Sequence, residues 1–77
     1  MNRGELHRAL TSLGVSDDAF DLTGDASGDE CYVLCQLAST WRVYYAERGL
    51  RTGEVTYTCE SDACAGLLQR VTRDLGL

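Results

Sequence analysis

From Cys31 to Glu60 the chain alternates apolar and polar residues almost without interruption, and this limits the possible folds more than any other feature. The odd positions read Cys31, Val33, Cys35, Leu37, Trp41, Val43, Tyr45, then Val55, Tyr57 and Cys59; the even positions read Tyr32, Leu34, Gln36, Arg42, Tyr44, Ala46, then Glu54, Thr56, Thr58 and Glu60. A period of two means extended strands with one face buried and the other wet or half-wet. Strands are expected over residues 31–37, 41–47 and 54–60, with odd residues inward on all three. Residues 38–40 read as a tight connection and 48–53 as a longer, glycine-bearing one. Upstream, Phe20 and Leu22 alternate with Asp21 as a short edge strand, and residues 23–29 read as a turn rich in Gly, Asp and Ser.

Helical periodicity flanks the strands. Leu6, Ala9, Leu10 and Leu13 recur at spacings of three and four, predicting a first helix over about residues 2–13 that Gly14 terminates. Ser61 is placed to cap a last helix, with Asp62 in its first turn. Its apolar stripe is Ala63, Cys64, Leu67, Leu68, Val71 and Leu75, with Arg70 and Arg73 toward its C-terminal end and Gly76 as its stop. The expected fold is a single α+β domain over 1–77: helix, four-stranded antiparallel meander, helix, both helices packed on one face of the sheet.

Seventy-seven residues bury only about 60% of the unfolded surface, so a well-packed core or a covering partner matters. No apolar run approaches a membrane span, and no secretory segment follows Met1, which points to the cytoplasm and to no membrane partner. All seven bases are arginine, and none lies between Arg8 and Arg42. That gap holds Asp17, Asp18, Asp21, Asp25, Asp29 and Glu30, half of the twelve acids. Such a segment lacks the basic stripe of a nucleic-acid footprint. It reads either as a solvated acidic loop or as attraction toward a basic protein partner. Its spacing is not that of an EF-hand loop.

Four cysteines raise disulfides and zinc. Cys31 and Cys35 on one strand would lie roughly 13 Å apart, too far for either. Cys59 and Cys64 are expected to face inward, and Cys64 could also be reactive beside a helix N-terminus. Four reduced core thiols are the simplest reading. His7 reads as a helix flank residue, and no catalytic constellation accompanies it. No metal or cofactor is expected.

The even face carries Tyr32, Leu34, Tyr44 and Ala46 among Gln36, Arg42, Glu54, Thr56 and Thr58. Aromatics and arginine within a polar ring have the composition of an interaction patch, although Tyr and Thr also favour strands for their own sake. Arg48 and Arg51 in the connection after the second strand read as a solvated tip; no phosphate-binding fingerprint accompanies them.

The segment Trp41-Arg42-Val43-Tyr44-Tyr45-Ala46-Glu47-Arg48-Gly49, with Glu60-Ser61-Asp62-Ala63-Cys64 and the leucine-bearing helix after it, resembles small bacterial immunity proteins of polymorphic-toxin systems. The similarity spans about residues 32–75. It implies a protein that binds and blocks a toxin domain, without catalysis. The expected function is thus a non-enzymatic protein-binding module, with Tyr32, Arg42, Tyr44, Asp21, Asp25, Asp29 and Glu30 toward a basic partner. The rivals are a homodimer packed through the even face and a thiol-dependent enzyme using Cys59 or Cys64.

Overall fold

The computed structural model describes residues 1–24 and 30–77. In chain order it contains helix α1 (Arg3–Ser12), a one-turn 3-10 helix (Asp17–Ala19), strands β1 (Phe20–Asp21), β2 (Cys31–Leu37), β3 (Thr40–Glu47) and β4 (Leu50–Tyr57), and helix α2 (Glu60–Leu75). The strands form one sheet in the order β1-β2-β3-β4. The α+β arrangement follows the sequence pattern, but the sheet is mixed rather than an antiparallel meander. β1 runs parallel to β2, with Phe20 opposite Tyr32 and Asp21 opposite Val33; the other two pairings are antiparallel. Residues 22–30 separate the two parallel strands. A two-residue hairpin joins antiparallel strands only, so parallel strands need a longer connection.

The hairpin between β2 and β3 brings a second correction. Its two-residue loop, Ala38 and Ser39, pairs Leu37 with Thr40, Leu34 with Val43 and Tyr32 with Tyr45. Even positions of β2 therefore oppose odd positions of β3, and opposed residues share a face. Tyr32 and Leu34 join Trp41 and Val43 in one buried cluster with Leu6, Leu10, Ala63, Cys64, Leu67 and Val71 from the helices. Cys31 and Val33 lie on the opposite face in a smaller cluster with Tyr44 and Ala46, and half-buried Cys35 packs beside it. The expectation that odd residues point inward fails on β2, and at Cys59 beyond the end of β4. That strand is apolar at both parities because both of its faces are buried.

The third strand also starts earlier than its alternation implies. Arg48 and Gly49 form the whole turn, both at positive φ (51° and 78°), the requirement of the tight turn that matches strand twist. β4 thus begins at Leu50, and the expected loop over 48–53 is mostly strand. Between Val43↔Val55 and Tyr45↔Thr52, β3 advances two residues and β4 three, so a β-bulge lies opposite Tyr44. Gly53 sits in it at φ 64°. The bulge shifts the parity of β4, which is why an uninterrupted alternation could not place both of its halves.

Helix α1 opens on a reciprocal cap. Asn2 accepts from the Glu5 amide at 2.9 Å, while the Glu5 carboxylate accepts from the Asn2 amide at 3.0 Å. The helix ends at Leu13, with Gly14 at φ 83° just beyond. Helix α2 lies against β2, β3 and β4, and α1 packs against α2. Arg3 fastens the two helices: its amide donates to Glu60 at 3.0 Å, and its guanidinium lies 5.5 Å from the Trp41 ring centre. Each fully buried Leu or Val in this layer stabilises the fold by about 1.5–3 kcal/mol. Contrary to expectation, Cys59 caps α2 with backbone only and is exposed, because β4 ends two residues before it. Ser61 instead accepts from the N-terminal ammonium of Met1 at 3.2 Å. The stripe of α2 is buried through Val71; Leu75 is half exposed, and Gly76 closes the helix at φ 69°. No described helix is long and apolar enough to cross a membrane.

Candidate functional site: an acidic cleft walled by tyrosines

The strand pairing that turns Tyr32 toward α2 also builds a cleft at the end of the sheet–helix layer. Tyr32 on β2 and Tyr45 on β3 are directly opposed, and their rings meet edge to face with centres 5.0 Å apart. Thr52, opposite Tyr45 on β4, extends this wall. From α2 come Arg70, Asp74 and Leu75, two of them one helical turn apart on the same side. Ala19 and Glu30 complete a cleft of about 350 Å³.

Its electrostatics are set by what each charge already does. The Tyr32 hydroxyl donates to Asp74 Oδ2 at 3.1 Å. Burial pushes the Tyr32 phenol above its ordinary range, and its hydrogen bond to Asp74 pushes it further in the same direction. The phenol therefore stays a neutral donor. The other carboxylate oxygen of Asp74 accepts from Arg73 Nε at 3.3 Å. Arg70 is committed elsewhere: Nη1 donates to the Gly53 carbonyl at 2.7 Å and Nη2 to that of Thr52 at 2.8 Å. The guanidinium thus holds the bulge of β4. Gly53 sits there at φ 64°, a backbone angle that few other residues adopt. Glu30, at φ 56°, is the second acidic residue that lines the cleft. Two tyrosine rings and two carboxylates are the groups that receive an arginine or lysine head, by ion pairing and by cation–π attraction.

The expected patch of Tyr32, Arg42 and Tyr44 does not form a common face. Tyr32 points to the helix side, whereas Tyr44 lies on the other side and is 2% exposed. The Arg51 guanidinium covers the Tyr44 ring at 4.6 Å. Burial raises the Tyr44 phenol, with Arg51 pulling the other way. Arg42 and Arg51 share one oxygen of Glu54, at 3.5 and 3.2 Å. Arg51 therefore stands on β4 rather than in a loop, its exposed side chain lying over Tyr44. Asp21 lies on β1 opposite Val33 and accepts from the Thr23 amide and hydroxyl at 2.9 and 2.6 Å. Asp25 and Asp29 lie outside the described residues. Of the expected binding residues, Tyr32 and Glu30 come together in the cleft.

Sequence reasoning missed Tyr45, Asp74, Arg70 and Thr52. The loop length between β2 and β3 carried the signal for Tyr45, because a two-residue hairpin sets it opposite Tyr32. Asp74 had only a local signal, its spacing of four from Arg70. His7 lies 3.3 Å from Asp17 and stacks edge-on against Phe20, linking α1 to the 3-10 helix. All four cysteines are free thiols, and burial raises the pKa of Cys64. Among the described residues no group of acidic, histidine and cysteine side chains has the arrangement of a metal site. No family model matches the chain, and no curated protein or solved structure matches it either.

Proposed function

We propose that this chain is a non-enzymatic protein-binding module that engages a basic partner by taking an arginine or lysine side chain into the Glu30–Tyr32–Tyr45–Asp74 cleft. The observation that carries this reading is the gathering of two acidic residues and two tyrosines in one cleft, while Arg70, which also lines it, is held by backbone carbonyls. The chain's formal charge of −5 adds long-range attraction toward such a partner. Four free thiols fit a reducing compartment such as the cytoplasm. An immunity or antitoxin-like inhibitor, the role implied by the resemblance at Trp41–Gly49 and Glu60–Cys64, is the specific form proposed. The test is affinity capture from the native cell at low and moderate salt, using wild-type bait beside an Asp74→Asn, Glu30→Gln bait. One stoichiometric basic protein, salt-sensitive and lost with the double variant, supports the proposal. Equal capture by both baits would overturn the assignment of the cleft.

A further inference from the structure

The two edges of the sheet are unequal. β1 is two residues long, whereas β4 runs for eight residues and pairs on one side only, with β3. Every β4 residue except Tyr57 is exposed, including Leu50 at 70% and Val55 at 46%. A long edge with exposed apolar residues is a template for a further strand, and natural proteins block such edges with charge, proline or bulges. β4 has no proline; it carries the bulge at Gly53, held by Arg70, and its two charges are Arg51 and Glu54, opposite in sign.

The bulge makes this strand complementary to itself. Arg51 and Glu54 lie on the same face, as their 3.2 Å contact shows, although three residues separate them. Leu50, opposite Glu47, and Val55, opposite Val43, both belong to the helix side, for the same reason. An antiparallel copy centred between Thr52 and Gly53 then sets Leu50 against Val55 of the second copy, and Arg51 against its Glu54. Both pairs occur twice about the two-fold axis. Each brings like faces together, apolar on the helix side and oppositely charged on the other. Charges that would repel a random strand here select this register.

We propose that β4 pairs with β4 of a second copy of this chain in that register, joining the two sheets into one of eight strands with the helices on the same side. The interface borders the acidic cleft at Thr52, but Leu50, Arg51 and Glu54, which test it, lie outside the cleft lining, so either can fail without the other.

Sedimentation velocity across a concentration series tests it, with circular dichroism reporting the fold of each variant. The wild type is expected to dimerise. Arg51→Glu sets like charges against each other at two places and should weaken the dimer by about tenfold or more. Glu54→Arg should do the same, and the combined exchange should restore dimerisation. Leu50→Asp alters a residue largely outside the folded core and should dissociate the dimer with the fold intact. An isotope-filtered NOE between residues 50 and 55 of different copies would fix the register. A wild type that stays monomeric at millimolar concentration, or a dimer indifferent to both single charge changes and to Leu50→Asp, would overturn the proposal.

Discussion

Tyr32 and Asp74 meet where the sheet joins the last helix, hydroxyl to carboxylate at 3.1 Å, although 42 residues separate them in sequence. The contact ties β2 to α2 and fixes the shape of the acidic cleft. It exists because the two-residue hairpin after β2 turns the even residues of that strand toward the helices.

That bond and the burial around it make stability depend on pH. Tyr32, Tyr44 and Cys64 all have folded pKa values above their ordinary ones, chiefly through burial. A raised pKa means the folded chain keeps protons that the unfolded chain releases. The associated stability is therefore complete below the ordinary values, 9.0 for the thiol and 10.0 for the phenols, and is lost as pH rises beyond them. Urea midpoints should fall across that alkaline range, and Tyr32→Phe should flatten the decline above 10.0. At neutral pH the same variant should cost about 1–2 kcal/mol for the lost hydrogen bond. An alkaline slope unchanged by Tyr32→Phe would contradict the assignment.

Gly66 should resist the substitution that usually strengthens a helix. Replacing glycine by alanine in a helix interior typically gains about 1 kcal/mol. Here a Cβ would collide with the hydroxyl and ring of Tyr57, which lies over the helix at this point. Gly66→Ala is therefore expected to destabilise by about 1–3 kcal/mol, as overpacking does. Adding Tyr57→Ala should remove most of that penalty in a double-mutant cycle of thermal or urea unfolding. A stabilising Gly66→Ala would show that the two do not touch.

The two-sided burial of β2 makes a second mutational claim. Val33 is fully buried on the face away from the helices, and Leu34 is fully buried toward them. Val33→Ala should cost about 1.5–3 kcal/mol, comparable in kind to the loss at Leu34. A surface-facing residue would lose almost nothing, so denaturant midpoints separate the alternatives directly. Gly24 is one of the groups on this side, close enough that a Cβ there would lie 2.9 Å from Cβ of Cys35.

Much of this architecture is legible in the residues themselves. The period-two run marked the three long strands, and Gly14 and Gly76 marked helix ends. The span of β2 needed no adjustment, since its apolar run ends at polar turn residues. What alternation could not convey was parity across turns. Ala38–Ser39 inverts it, and the bulge at Gly53 inverts it again within β4, so the even face read as one patch is divided between two sides. Arg48 at positive φ hid the hairpin, because arginine gives no local sign of that backbone angle. The parallel pairing of β1 with β2 is a matter of tertiary topology, which local patterning does not encode. The cleft was legible only as Tyr32 and Glu30; its remaining walls arise from tertiary packing.

Whether the cleft accepts a basic side chain is read by an NMR titration with N-acetyl-arginine amide beside its neutral citrulline counterpart. Weak, saturable shifts confined to Tyr32, Tyr45, Thr52, Asp74 and Leu75 are expected, with affinity on the order of 1 mM. They should be absent with citrulline and lost in Asp74→Asn, Glu30→Gln. Equal shifts from both compounds, or none at the cleft with the arginine derivative, would contradict it.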